Sequence, residues 1–318
     1  MSTTFNQRVF GCAVIKSINS NYNADFTHQP RTLPNGTVYA TDKALKYTVR
    51  HYLSRRHPEE KLFYFRSLSD QMQPRTLDET YAHYFGELPK GKDEIIRKTV
   101  ANKLLSCIDV RLFGGTFASK NGKANLSLHG PVQISHGMNR YPDGVIYSEQ
   151  IMSPFRNSGE KNKDSTMTTL GTQSKLSEGH YVHHFSINPH NLDELVRLSG
   201  GQALTEADIQ KLKEALSSGA TLYDSAAKAG TENELMLWIQ LQPGSLLVLP
   251  SLVDKVVIKS AADRRLIDLA AITELLQRSA VKDHIERVEI YRDPTTDLSN
   301  VPATAELLDL HAFPLWRS

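Results

Sequence analysis

The chain has 318 residues, a formal net charge of +2, 40% hydrophobic residues and 23% charged residues. This composition is typical of a folded globular protein and argues against a disordered or fibrous chain. Because the charge is nearly balanced, any surface for nucleic acid must be a local patch. Cys12 and Cys107 lie apart in apolar stretches, which argues against a disulfide scaffold or a cysteine zinc site and predicts a cytoplasmic protein. We expect no membrane span, since no segment approaches about 18 apolar residues.

The first half of the sequence alternates between strand and helix patterns. A strand is predicted at 9–18, where β-branched and small apolar residues end in a turn-rich stretch. Residues 19–40 are predicted to form a long loop insertion, and loops of that length are commonly functional. Thr41 and Asp42 are suited to begin a helix that runs to about Arg56. Further patterns predict strands at 62–65 and 109–113, a helix at 93–106, and a strand at 125–135 that is interrupted at Gly130-Pro131.

The second half contains a polar segment, 153–177, in which few residues are large and apolar and basic residues outnumber acidic ones. Such a segment cannot bury much surface by itself, so we predict a protrusion, either disordered or ordered by a partner. Beyond it, the patterns predict strands at 181–187, 235–241, 246–257 and 285–291 and helices at 205–216 and 263–278. The order of elements indicates a single α+β domain over residues 1–318, with insertions at 19–40 and 153–177 and helices packed on one face of a sheet.

Three basic side chains recur on one side of the predicted first helix, at Lys43, Lys46 and Arg50. Regularly spaced cations on a rigid helix can hold a sugar-phosphate backbone, although the same stripe can be a solvated helix face. Arg111 stands in the middle of an apolar stretch that ends in Gly114-Gly115. It can reach a phosphate from the sheet face, with the glycines allowing close approach, or it can pair with a neighbouring carboxylate.

Three histidines, His180, His183 and His184, are close in sequence, but on a strand His183 faces away from the other two. Two ligands on one face without an acidic third are poor evidence for a metal site, so we interpret these residues as strand histidines. The sequence contains no nucleophile elbow, no phosphate-binding glycine-rich loop with lysine and no zincin helix. We therefore expect no enzyme activity, no cofactor and no metal.

Four motifs follow one another along the chain: NSNYNAD at 19–25, TDKALKYTVR at 41–50, DVRLFGG at 109–115 and HGPVQ at 129–133. Together with the polar insert around Met167, they resemble the Cas seven family of the RAMP superfamily, most closely its type I-B branch. Members of that family are the backbone subunits of CRISPR surveillance complexes, also called Cascade. The resemblance implies an RRM-like (ferredoxin-like) palm with finger insertions and a thumb hairpin at 153–177.

The resemblance also implies a function and a set of partners. Copies of the chain are expected to coat a guide crRNA, and the guide to pair with target DNA in antiviral defence. The other expected partners are further copies of the chain, a large subunit, and Cas five-type and Cas six-type proteins. The implied RNA-binding positions are Asn21, Asn23, Arg31, Lys43, Lys46, Arg50, Arg111, Gln133, Met167, Thr168 and Thr169. Met167 is the candidate wedge beside a displaced nucleotide.

Two alternatives to this function stay open. The related backbone subunits of type III complexes cut target RNA with an aspartate in the loop after the first strand, and Asp25 lies in such a loop. A general single-stranded RNA-binding protein also fits the charges, although it does not account for the ordered motifs.

Overall fold

A computed structural model gives the fold, and it describes residues 3–119, 124–156, 167–261 and 264–311. The strands are β1 Val9–Ser20, β2 Tyr39–Ala40, β3 Gly114–Phe117, β4 Leu126–His129, β5 Val132–Ile134, β6 Gly137–Asn139, β7 Ile146–Arg156, β8 Met167–Ile187, β9 Thr231–Leu241, β10 Val257–Ala261, β11 Arg264–Asp268, β12 Ile285–Arg292, β13 Asp297–Ser299 and β14 Ala305–Asp309. The helices are α1 Asp42–Arg56, α2 Leu77–Phe85, α3 Asp93–Leu104, α4 Ile108–Phe113, α5 Asp193–Ser199, α6 Glu206–Leu222, α7 Ala270–Gln277 and α8 Ser279–Lys282.

The strand β1 lies at the centre of a nine-stranded sheet. It pairs antiparallel with β8 on one side and with β9 on the other, so that Ala13 lies opposite His183 and Met236. The strands follow in the order β14-β12-β9-β1-β8-β6-β2, and β5 and β7 also pair with β8. The long β8 holds several partners because β7 pairs with its first half, whereas β5 and β6 pair with its second half.

Successive side chains of β1 point to opposite faces of the sheet, and both faces are buried. On one face, Ala13 belongs to an apolar cluster with Val49 of α1 and Leu216 of α6. On the other face, Cys12 belongs to a second cluster with Ile272 of α7. The prediction of helices on one face only is therefore wrong, because the segment around α7 covers the second face.

Several predicted elements are confirmed. The first strand and the helices α1 and α3 match the predicted elements to within two residues at each end. The helix α6 begins with the predicted capping box, in which the Thr205 hydroxyl accepts from the Asp208 N–H and the Asp208 carboxylate accepts from the Thr205 N–H. Such a box satisfies two of the backbone donors at a helix start. The helix continues beyond the predicted end at 216, to Leu222.

The predicted strands at 62–65 and 109–113 are wrong. The first stretch forms no strand, and the second is the helix α4. One side chain accounts for the first difference, because the buried Asp109 carboxylate accepts hydrogen bonds from the backbone N–H groups of Phe63 and Tyr64, both at 2.8 Å. Backbone donors that a carboxylate satisfies do not need a neighbouring strand.

The C-terminal third also differs from the prediction. Residues 246–257 are mostly loop with a single 3-10 turn, and 263–278 divide into β11 and α7. The structure adds elements that the sequence patterns did not reveal, among them α2, α5 and β14. Within the described ranges, no helix has both the length and the apolar character needed to cross a membrane.

Candidate nucleic-acid interface

The predicted basic stripe lies on α1, and its three side chains differ in exposure. The Lys43 side chain is 83% exposed, whereas those of Lys46 and Arg50 are 16% and 13% exposed. Lys46 Nζ donates to Asp42 Oδ2 at 3.2 Å, and Arg50 Nε donates to Asp109 Oδ2 at 3.0 Å. The structure thus brings the three cations together on one helix. Hydrogen-bonded ion pairs fix Lys46 and Arg50, whereas Lys43 Nζ lies 3.6 Å from Asp42 Oδ1 and stays exposed.

The ring of Phe113 supports two members of the stripe. Lys46 Nζ lies 5.5 Å and the Arg50 guanidinium carbon 5.1 Å from the ring centre, distances at which a ring face attracts a cation. Arg50 is also held by the fully buried Asp109 carboxylate, which lies 59 positions away along the chain. Phe113 and Asp109 therefore orient the basic stripe. The sequence patterns did not assign them this role, because the contact joins distant parts of the chain.

The first turn of α1 gathers charged groups around Asp42. Lys43 Nζ and His136 Nδ1 each lie 3.6 Å from its carboxylate, in addition to the bond from Lys46. Burial opposes ionisation of Asp42, but the hydrogen bond and charge of Lys46, followed by Lys43 and His136, more than offset it and hold the pKa of the carboxyl below its ordinary value. This end of the helix therefore presents cations beside a carboxylate that they already neutralise.

The loop between β1 and β2 is held by polar side chains that include the predicted RNA-binding residues Asn21, Asn23 and Arg31. Asn21 is 3% exposed and donates to the carbonyl oxygen of Ser174 at 3.2 Å. Asn23 Oδ1 accepts from the N–H and the hydroxyl of Thr41 at 2.9 and 3.1 Å, so the Thr41 side chain does not cap α1. Arg31 Nε donates to a carbonyl of the loop at 3.1 Å. These residues position the loop, and their contacts with RNA stay a prediction.

Asp25 shapes the turn in the same loop. Its Oδ1 accepts hydrogen bonds from the Thr27 hydroxyl at 2.7 Å, the Thr27 N–H at 2.8 Å and the Gln29 N–H at 3.1 Å. The hydroxyl bond first, and then the backbone bonds, hold the pKa of Asp25 below its ordinary value. This oxygen therefore has a structural role in the turn.

Arg111 is a buried structural residue. It is 5% exposed, and its guanidinium makes two bonds to Asp208, from Nε at 3.0 Å and from Nη2 at 2.8 Å. Its Nη1 donates to the Leu105 carbonyl at 3.0 Å and to Gln202 Oε1 at 2.9 Å. The prediction that Arg111 reaches a phosphate from a sheet face is wrong, because the residue lies on α4 with its donors inside the fold. The alternative interpretation, a pair with a carboxylate, is correct.

Gly114, the first glycine after α4, allows close approach of the protein's own backbone. A Cβ on Gly114 would lie 2.0 Å from the Leu128 carbonyl oxygen, and Gly114 has a φ of 67°, which favours glycine. The DVRLFGG motif is thereby packed against the HGPVQ motif. Within the second motif, Gln133 Nε2 donates to the Gly130 carbonyl at 2.8 Å. A contact between Gln133 and RNA stays a prediction.

The polar insert leaves the sheet as two paired strands. β7 and β8 run antiparallel and pair over most of the length of β7. Met167, Thr168 and Thr169 belong to β8. Their side chains, and residues 157–166, lie outside the described part of the chain. The role of these three residues in displacing or holding a nucleotide therefore stays a prediction.

The histidines of β8 make separate local contacts. His180 bonds to Glu234 at 2.6 Å and to Glu178 at 3.1 Å; burial opposes its protonation, but the two carboxylates more than offset this and raise the pKa of His180. Burial lowers the pKa of His183 to about 4, and its Nε2 lies 3.2 Å from the Tyr22 hydroxyl. In the described ranges, no three His, Cys, Asp or Glu side chains are arranged to hold a metal ion.

The family model described as CRISPR-associated protein Cas7 matches residues 7–290 of the chain. The chain belongs to the Cas7 family. This Cas7 chain also resembles two solved structures, at 15% identity in both cases. A chain of a "CRISPR RNA-guided surveillance complex, pre-nicking" matches with a TM-score of 0.56 over 95% of this chain and 96% of that one. A chain of a "CRISPR RNA-guided surveillance complex" matches with a TM-score of 0.54 over 93% and 96%. These likenesses show a shared fold, and no curated protein matches in sequence.

The Cas7 assignment confirms the family that the four motifs indicated. The structure also places aromatic residues beside the basic stripe that the sequence patterns did not single out. Tyr47 and His51 are four residues apart on α1, and both contact the rings of Phe65 and Tyr223. The helical spacing of the first two was visible in the sequence, but their ring partners come from other segments.

Proposed function

We propose that this Cas7 chain is a crRNA-binding backbone subunit of a type I CRISPR surveillance complex, of the I-B kind, and that successive copies lie along the guide. Each copy holds the sugar-phosphate backbone and leaves bases free to pair with target DNA, so base pairing carries the sequence information. The proposed partners are crRNA, other copies, a large subunit, and Cas five-type and Cas six-type proteins. The strand order β9-β1-β8, with α1 and α6 on one face, supports an RRM-like palm.

The basic stripe on α1 is the observation that supports RNA binding most directly. Lys43 is exposed, while Lys46 and Arg50 are oriented by fixed partners. With a rise of about 1.5 Å per residue, the stripe extends over about 10 Å. A stripe of this length can contact only a few successive phosphates. The net charge of +2 is compatible with this function, because each copy holds few nucleotides and affinity accumulates over copies.

The double variant Lys43→Gln with Lys46→Gln is expected to weaken the binding of short single-stranded RNA. The loss should be equal for unrelated sequences, since phosphate contacts carry no sequence information. The slope of log affinity against log salt concentration should flatten by about 0.7 for each lost contact. Fluorescence anisotropy at several salt concentrations measures both effects. Arg50 is kept, because its loss would leave the buried Asp109 without its cation.

The matched control removes two exposed lysines from α3, as Lys98→Gln with Lys103→Gln. It changes the net charge by the same amount and should leave RNA affinity nearly unchanged. Equal weakening in both variants would show that overall charge governs binding, and an unaffected α1 variant would remove this helix from the RNA site. Guide-length RNA of discrete size, copurified with the protein, would separate a guide carrier from a general RNA binder.

We also propose that the subunit is not a nuclease, because one oxygen of Asp25 is committed to the turn that it builds. The assembled complex is expected to leave complementary RNA uncut in the presence of Mg²⁺. Gel analysis of labelled target RNA tests this, with Asp25→Ala as the comparison. Target RNA cut at regular intervals, with cutting lost in Asp25→Ala, would establish the type III-like activity instead.

A further inference from the structure

Four rings form a group beside the basic stripe, which we call the α1 aromatic cluster: Tyr47, His51, Phe65 and Tyr223. The Tyr47 ring centre lies 5.5 Å from that of Phe65 and 5.1 Å from that of Tyr223, and His51 lies 4.9 Å from Tyr223. The rings come from α1, from the segment before α2 and from the residue that follows α6. Tyr47 is 38% exposed and the other three are half-buried. The cluster is thus a surface of rings that three parts of the chain build together.

Positive groups surround this cluster. Lys43 and Arg55 flank it on α1, and both are exposed. Lys228 Nζ donates to the Tyr22 carbonyl oxygen and lies 6.0 Å from the Tyr223 ring centre. Burial lowers the pKa of Lys228 to about 8, so a nearby anion would favour its charged form. Asp224 supplies a carboxylate close enough to interact electrostatically with His51 of the cluster. The three cations therefore outnumber the two carboxylates, Asp224 and the Asp42 side chain that lies 3.6 Å from Lys43 Nζ.

We propose that the α1 aromatic cluster is a stacking site for a base of the single-stranded RNA that the basic stripe holds. This inference deepens the proposed function and rests on it. Rings that stack on bases, next to cations that hold phosphates, are the combination by which proteins bind single strands without reading their sequence. Tyr47 lies one helical turn, about 6 Å, beyond Lys43. A strand with a phosphate at Lys43 can therefore bring a nearby base to the rings.

A pair of variants at Tyr47 tests the stacking site. Tyr47→Leu removes the exposed ring and keeps an apolar side chain, whereas the control Tyr47→Phe keeps the ring. Tyr47→Leu is expected to weaken the binding of short single-stranded RNA by about fivefold or more, the effect of losing one base stack, and Tyr47→Phe should bind almost as the unchanged protein does. The salt dependence should stay unchanged in both, since no cation is lost. This separates stacking from the phosphate contacts of Lys43 and Lys46.

RNA that contains abasic sites provides a second measurement, and its first comparison, normal against abasic RNA on the unchanged protein, needs no variant. Such RNA should bind the unchanged protein more weakly and should remove the difference between that protein and Tyr47→Leu. RNA binding that is normal in Tyr47→Leu would overturn the stacking site and leave the proposed function intact. A protein that binds no RNA would overturn both. If Tyr47→Leu binds short RNA with normal affinity but places fewer copies on long RNA, the cluster contacts a neighbouring copy. That result would also overturn base stacking.

Discussion

Arg111→Met is expected to lower the free energy of unfolding by about 3–5 kcal/mol, the usual cost of leaving one partner of a buried ion pair alone. Asp208 is 2% exposed and would lose both of its bonds to the guanidinium. The same carboxylate accepts from the Thr205 N–H in the capping box, so the loss extends to the start of α6. The Leu105 carbonyl would lose a donor as well.

Urea unfolding followed by circular dichroism measures this difference, with Arg97→Met as the control. Arg97 is an exposed arginine on α3, so its replacement should change stability by less than about 0.5 kcal/mol. Arg111→Met combined with Asp208→Asn should recover part of the loss, because the second change removes the unpaired charge. A loss below about 1 kcal/mol in Arg111→Met would indicate a pair that water screens, as in exposed ion pairs.

The elements that could be predicted from the sequence are those with local signals. In α1, Leu45, Val49 and Leu53 recur at helical spacing, and all three are fully buried. In α6, the capping box lies within a single turn. Such patterns fix a helix without reference to any distant residue. The positions of the basic stripe were visible for the same reason.

The contacts that decide α4 are long-range, and this explains why the sequence did not reveal its structure. A short apolar run suits either a strand or a buried helix. The contacts join Asp109 to Phe63, 46 positions away, and Arg111 to Asp208, 97 positions away. No short stretch of the sequence contains both members of either pair. For the same reason, the sequence did not reveal that Phe113 and Asp109 orient the basic stripe. It also led to the wrong prediction that Arg111 binds phosphate.

Replacing residues 153–170 by a short Gly-Ser linker is expected to leave the monomer folded and to abolish regular assembly on guide RNA. The replaced sequence contains few large apolar residues, so its loss removes little buried apolar surface. The replacement has to end before Ser174 and Leu176, which are both buried. Leu176 belongs to the main core, and the Ser174 carbonyl accepts from Asn21. Thermal melting should therefore show a folded protein close in stability to the parent.

Sedimentation on two RNA lengths separates the proposed roles of the thumb and of α1. On RNA that accommodates one copy, the linker variant should bind nearly as the parent does, because the basic stripe on α1 is unchanged. On RNA that accommodates several copies, it should lose the cooperative, evenly filled complex, since affinity gained from neighbouring copies depends on their contact. The Lys43→Gln, Lys46→Gln variant should differ from the linker variant on short RNA, because a single copy of it should already bind more weakly than the parent does. A linker variant that still fills long RNA regularly would show that neighbouring copies join through another surface.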